Sequence, residues 1–219
     1  AVNLPQHQEI IEQIAPFGKA IYCEWPLGIH PGEARILQQI AAHHNCRTFI
    51  GLQALHSPYI QKLRQIINDP ASGRLISCII SGNNPAAGRI VDPRYLYAQQ
   101  LESGVNTLTI PFAHSLVALQ SIFGALHDMH ALTACQYPEV IRKDNGETLP
   151  RSTIDHVFFQ GRTQDGGLLN IAYRGGGSGL RMEIECEHVQ LVVTANSGHL
   201  QYEALTIEIL RDGQRETLA

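Results

Sequence analysis

The sequence predicts an α/β segment up to about Leu55, then an α+β domain over residues 56–219 whose open, mostly antiparallel sheet carries helices on one face. Three observations predict it. Helix-like and strand-like stretches alternate over residues 1–55, a long helical period starts at Gly104, and apolar and charged residues alternate strictly from Leu180 to Glu187. A chain of 219 residues is long enough to bury a sizeable core, and 44% hydrophobic against 16% charged residues is a globular balance.

Each element has its own signal. Ile10, Ile11, Ile14 and Ala15 follow Pro5 at helical spacing, and Gly18 can end that helix. The apolar run from Ala20 to Cys23 reads as a short buried strand. Glu33 opens a second helix with Ile36, Leu37, Ile40 and Ala41 inward, and Arg47 to Leu52 supplies another strand. This alternation is that of a parallel sheet with crossover helices. A doubly wound domain opens with a strand, a glycine-rich turn and a helix, and the chain contains no Gly-x-Gly-x-x-Gly. Residues 1–55 therefore read as the later half of such a domain.

Beyond Leu52 the texture changes. A helix near Ser57 to Asn68 carries Tyr59, Leu63, Ile66 and Ile67, and Leu75 to Asn83 reads as a strand; residues 83–100 are loop-rich, with Pro85, Gly88 and Pro93. From Gly104, Val105, Leu108, Phe112, Leu116, Leu119 and Phe123 recur at steps of three and four, interrupted by Pro111. A proline inside a helix costs about 3 kcal/mol, so a kink is expected there, one turn before His114. Strands are expected over Ser152–Gly161, Gly167–Tyr173, Leu180–Cys186, Val189–Val193 and Leu205–Leu210, with hairpin turns at Gln164–Gly167 and Arg211–Gln214. Arg181, Glu183, Glu185 and Glu187 give the sheet a polar outer face.

Composition excludes several functions. Lys plus Arg total 16 against 20 Asp plus Glu, a formal net charge of -4 without a basic run, which disfavours direct nucleic-acid binding. No apolar run approaches the roughly 18 residues of a membrane span, and no signal peptide is evident. Cys23, Cys46, Cys78, Cys135 and Cys186 are scattered without Cys-x-x-Cys spacing and read as buried thiols of a cytoplasmic protein. His43, His44 and Cys46, or His127 and His130, lack a second ligand pair at metal-binding spacing, so no metal site is expected. Tyr173 to Gly179 is glycine-rich, but no helix follows to bind a phosphate, and it reads as a strand connection. Asp155 and His156 form a possible dyad, yet neighbours on a strand point to opposite faces.

The most informative stretch is Glu24-Trp25-Pro26, an acid, the chain's only tryptophan and a proline where a buried strand ends. The carboxyl end of such a strand is where α/β proteins bind ligands. By itself the triplet also fits a turn with an anchoring aromatic, and His114 also fits a satisfied core histidine.

The runs Val2–Leu27, Phe49–Ile60, Glu102–Gly124 and Ile154–Gly166 resemble the Gfo/Idh/MocA oxidoreductase family, and within it the branch that contains the fungal galactose-regulon repressor. The likeness implies a partial Rossmann-like domain followed by an α+β domain for substrate and oligomerisation. It implies NAD or NADP as cofactor of the full-length protein, a carbohydrate-like small-molecule substrate, and a homodimer through the sheet face. It places Asn3, Leu4, Pro5, His7, Glu24, Trp25, Pro26 and Gln53 around the cofactor and His114 as the catalytic acid or base. The sequence departs from the family where Trp25 replaces the catalytic lysine and Ile110 the acid four residues before the histidine. An indole cannot exchange a proton near neutral pH, so Trp25 is expected to stack against a ring, and His114 to act alone. Two functions follow: a sugar or polyol oxidoreductase, or a non-catalytic dinucleotide sensor that binds a protein partner, as the repressor branch does. Without the glycine-rich turn, NAD(P) binding by residues 1–219 alone is expected to be weak or absent.

Overall fold

The computed structural model describes residues 2–201 and 203–218. Helix α1 (His7–Ile14) lies between 3₁₀ turns at Leu4–Gln6 and Ala15–Phe17, and Gly18, at φ 62°, ends the second of these. Strand β1 (Ile21–Glu24) pairs in parallel with β2 (Thr48–Gly51), Glu24 standing opposite Gly51, and α2 (Pro31–His43) crosses between them. The start of α2 is capped reciprocally: the His30 ring accepts from the Glu33 N–H, and the Glu33 carboxylate accepts from the Ile29 N–H. This cap accounts for a carboxylate only 5% exposed. It also sets the inward stripe of α2 as Glu33, Leu37 and Ala41, which turns Ile36, expected inside, out to 45% exposure and leaves Ile40 half-buried. Ile11, Ala15, Ile21, Cys23 and Leu37 form the core of this layer.

A second, larger core begins at Ala54 and follows α3 (Pro58–Ile67), β3 (Leu75–Asn84), β4 (Ile90–Val91) and α4 (Ala113–Phe123). After α4 come β5 (Leu126–Ala134), β6 (Glu139–Arg142), β7 (Thr148–Pro150), β8 (His156–Thr163) and β9 (Leu168–Gly175). The chain closes with β10 (Leu180–Cys186), β11 (Gln190–Ala195), β12 (Thr206–Arg211) and β13 (Gln214–Leu218). An eight-stranded sheet runs in the order β13-β12-β11-β10-β3-β9-β8-β5, antiparallel throughout except for the β3–β9 pair. Strands β4, β6 and β7 form a separate small sheet. The alternation on β10 is strict, with Leu180, Met182, Ile184 and Cys186 buried against α3 and α4.

The helix expected from Gly104 starts later and contains no simple kink. Asn106 Oδ1 accepts the N–H groups of Leu108 and Thr109, and residues Leu108–Phe112 make one π turn before α4. The Phe112 N–H reaches back five residues to the Thr107 carbonyl at 3.1 Å. The wider turn makes room for the Pro111 ring, which has no N–H to place.

Three further expectations are corrected. The strand expected from Ser152 begins at His156, because residues before it cross over to other elements: the Arg151 N–H bonds to the Pro138 carbonyl and the Ser152 N–H to the Gln99 carbonyl. Strands β5, β6, β7 and β13 carry no readable alternation; β5 is an edge strand exposed along most of its length, with a bulge at Asp128. The outer sheet face is uniformly polar on β10 and mixed on its neighbours. Ile79, Phe158, Leu168 and Leu132 stand exposed on β3, β8, β9 and β5, and the pairing Ala172–Phe158–Leu132 makes an apolar row across three strands. Of the five free thiols, Cys23, Cys78 and Cys186 are buried, while Cys46 and Cys135 are only half-buried.

Tyr173, wholly buried on β9, ties the sheet to α4: its hydroxyl meets Ser115 Oγ at 2.6 Å and donates to the Gly198 carbonyl at 2.8 Å. The ring lies over Gly82, where a Cβ would stand 2.6 Å from Cε1. Burial pushes its phenol far above the ordinary range. Tyr173→Phe is expected to lower stability by about 1–3 kcal/mol in urea unfolding, because the Ser115 hydroxyl and Gly198 carbonyl lose their shared partner.

Candidate functional site

Because β1 and β2 are parallel and in register, the turns leaving them lie side by side. Gln53 Nε2 donates to Glu24 Oε2 at 2.8 Å across that gap. Gly51 makes the approach possible: a Cβ there would collide with the Glu24 carboxylate and stand 2.7 Å from the Tyr22 hydroxyl. Next in the chain, the half-buried Trp25 donates its indole N–H to the Thr109 carbonyl at 2.7 Å. The indole has only one donor, so this bond fixes the ring against the π turn and leaves its faces for packing or stacking.

His114 lies in the first turn of α4, beyond that π turn, and is 4% exposed. Its Nδ1 has no hydrogen-bond partner. Burial holds the imidazole below its ordinary pKa range, and the negative charge of Glu24 opposes that shift. His114 is therefore neutral near pH 7, within electrostatic reach of Glu24. The structure thus brings Glu24 and Gln53 into direct contact and ties Trp25 to the turn that precedes His114.

The other residues singled out fall into two groups. Asn3 and Pro5 are exposed at the first 3₁₀ turn, where the Asn3 N–H donates to Gln6 Oε1. Leu4, His7 and Pro26 are buried beneath. Leu4 packs on Gly104, and His7 Nδ1 lies 3.1 Å from the Leu27 carbonyl and 3.4 Å from Cys23 Sγ, pinning α1 to the loop after Pro26.

Sequence reasoning missed a second histidine. His199 lies beyond β11, with Nδ1 3.0 Å from Gln201 Nε2, while its backbone N–H donates to Ser197 Oγ. Ser197 in turn donates to Glu203 at 2.7 Å. Burial lowers the His199 pKa, the nearby His114 lowers it further, and Glu203 opposes both. No periodicity marks residues 196–204, so only the fold could reveal the pair. His199 and Glu203 line a cleft of about 530 Å³ together with Asn106, Ile110, Tyr95 and Arg151. Ile110, where the family's acid is expected, therefore faces that cleft.

Asp155 and His156 do meet, contrary to the strand argument. Asp155 precedes β8, so its Oδ1 reaches His156 Nδ1 at 2.8 Å, while its two oxygens also accept the N–H groups of Gln136 and Tyr137. The pair pins the end of β5 to the start of β8. Among the described residues no three His, Cys, Asp or Glu side chains are grouped to hold a metal, and no helix is long and apolar enough to cross a membrane.

A family model described as "Gal80p, C-terminal domain" matches residues 58–201. The galactose/lactose metabolism regulatory protein GAL80 of Kluyveromyces lactis is 30% identical over 193 residues, covering 80% of this chain and 42% of that protein. The chain spans less than half the length of the curated relatives it matches. The crystal structure of a super-repressor mutant of Gal80p from Saccharomyces cerevisiae superposes with TM-score 0.92 at 21% identity, over 100% of this chain and 61% of that one. Levoglucosan dehydrogenase in complex with NADH and levoglucosan gives TM-score 0.78 at 17% identity, over 100% and 59%. The fold is that shared by Gal80p and the Gfo/Idh/MocA oxidoreductases.

His114 and His199 are both expected to titrate below the ordinary imidazole value of about 6.5 in an NMR pH series. With depressed folded-state values the unfolded chain takes up these protons first, so stability is full above about pH 6.5 and falls as the pH drops below it. Urea unfolding at a series of pH values checks the sign. Glu24→Gln should lower the His114 value further, since the charge that favours the cation is removed.

Proposed function

The chain belongs to the Gal80p C-terminal-domain family, and from that premise we propose that it carries the substrate side of an NAD(P)-dependent oxidoreductase of the Gfo/Idh/MocA type acting on a sugar or polyol derivative. One observation carries the reading: a neutral, buried imidazole with an unpartnered Nδ1 sits beside the turn that Trp25 clamps. Oxidising an alcohol requires removal of a hydride from carbon and a proton from oxygen. His114, neutral at pH 7, is suited to take the proton.

The residues of this chain fit one end of the cofactor. Glu24 and Gln53 are exposed polar side chains where β1 and β2 end, Asn3 is exposed at the first 3₁₀ turn, and the Trp25 ring offers a flat surface to a nicotinamide. When bound, the nicotinamide supplies the hydride acceptor. The pyrophosphate end calls for a glycine-rich turn at a helix amino terminus, which residues 1–219 do not contain.

A second reading has its own support. Trp25 and Ile110 stand where proton-exchanging residues are expected, and the Kluyveromyces lactis relative is named a regulatory protein. In that reading the same cleft senses dinucleotide and the chain acts through a protein partner. Capture of a partner that depends on NAD(P), with no turnover of any substrate, would favour it.

The apolar row on the outer sheet face supports a homodimer formed sheet to sheet. Phe158→Glu places a charge in its centre and is expected to give a monomer in sedimentation experiments where the parent chain is a dimer. A parent chain that sediments as a monomer at every concentration removes the dimer.

The catalytic reading is tested by joining the chain to a complete dinucleotide-binding domain and following reduced nicotinamide with NAD or NADP and a polyol panel. Turnover is expected, and His114→Asn should lower kcat by about 10²–10⁴-fold. Silence across the panel with cofactor binding intact counts against it.

A further inference from the structure

Among the described residues, five buried side-chain polar atoms lack a hydrogen-bond partner: Asn84 Oδ1, His114 Nδ1, Arg151 Nη2, Gln201 Oε1 and Arg211 Nε. The first four belong to one neighbourhood. Asn84 and Arg151 line the cleft of about 530 Å³; Gln201 holds His199, which lines it too; and His114 bears electrostatically on His199. Buried polar groups in folded proteins are nearly all paired, so this concentration marks a place built for a polar occupant.

The unmet atoms specify the occupant's chemistry. Arg151, 5% exposed, donates through Nε to Gln99 Oε1 at 2.7 Å and through Nη1 to the Ala87 carbonyl at 2.8 Å, which leaves Nη2 without an acceptor. Its nearest carboxylate, Asp155, is 3.9 Å from Nη1 and already accepts from Gln136, Tyr137 and His156. The buried guanidinium therefore has one distant counter-ion that does not reach Nη2, and its unmet N–H groups are a cost that an anionic acceptor relieves. Asn84 spends its amide on Thr107 Oγ1 and leaves an acceptor that only a donor, such as a hydroxyl, can meet. Glu203 on the wall and Asp155 behind Arg151 repel a dianion, so a carboxylate suits the site better than a phosphate.

We propose that this cleft binds a small hydroxylated carboxylate, with its carboxylate on Arg151 and a hydroxyl on Asn84. Naming that ligand the substrate rests on the oxidoreductase reading; the binding claim does not. The guanidinium and amide are closed to bulk water, so seating the ligand displaces whatever now seals them.

The test is calorimetric titration of the 219-residue chain with D-glucuronate, D-glucose and D-glucose 6-phosphate, which share a ring and differ in charge. Glucuronate is expected to bind at least about tenfold tighter than either of the others, the discrimination of one charge-assisted hydrogen bond. Arg151→Gln should erase that preference. If this variant does not fold, Asn84→Asp should weaken glucuronate at least about tenfold while glucose stays within about threefold. Equal binding of glucose and glucuronate, tighter binding of the phosphate ester, no binding of glucuronate, or a folded Arg151→Gln chain that keeps the preference would each overturn the proposal. Carboxylate preference without turnover in the joined protein refutes the catalytic reading alone, and turnover of uncharged polyols without that preference refutes this inference alone.

Discussion

The hydrogen bond from the Trp25 indole to the Thr109 carbonyl is the contact on which the site depends. The α/β layer and the large sheet have separate cores, so their relative placement rests on a few contacts at their border. Trp25 reaches across from the end of β1, and Leu4 and Ile29 close on Gly104 from the same side. Gly104 is required twice: its φ is 70°, and a Cβ there would stand 2.8 Å from the Ile29 Cα. A backbone approach this close, beside a half-buried indole bond, fixes the end of β1 against the segment before α4.

The π turn is the other half of that contact. Inserting one residue into the helix lets Pro111 pass without a clash and rotates α4 relative to the segment before it. The result is that Ser115, Ala118, Leu119 and Ile122 face the sheet while His114 is held beside the cleft. Thr109 serves both sides of the turn, donating its hydroxyl to the Gly104 carbonyl at 2.7 Å and offering its own carbonyl to Trp25. A proline that looks like a defect in the helical period is thus accommodated by a geometry that also aims the histidine.

What could be read from residue order follows from how local each signal is. Strand β10 buries one face, so its period of two is plain in the chain; β3, β8, β9, β11 and β12 are legible as apolar runs, and α1 and α3 show their stripes. β5 lies at the sheet edge with both faces largely exposed, and a strand without a buried face has no period to read. The α2 stripe was misjudged because a cap, not hydrophobicity, turns the helix. In the site, Glu24 and Trp25 were legible because strand ends are where such folds bind, and Gln53 only through the family likeness; the fold sets Gln53 against Glu24. Arg151, Asn84 and His199 were not, since they lie on three separate loops and strand ends whose meeting is decided only by the sheet order.

With Trp25 and Ile110 where the family likeness implies a lysine and an acid, the chemistry proposed for this chain is narrower. Trp25 and Ile110 can neither give nor take a proton, so in the proposed reaction that task passes to groups such as His114. Two imidazoles are present, each disfavoured as a cation by burial, and a proton on His114 further opposes one on His199. Both shifts favour the neutral form, which suits a base better than an acid. A base of that kind serves oxidation of an alcohol better than reduction of a carbonyl. In the proposed complex the buried guanidinium of Arg151 would meet the other requirement, orientation, by fixing one charged end of the ligand.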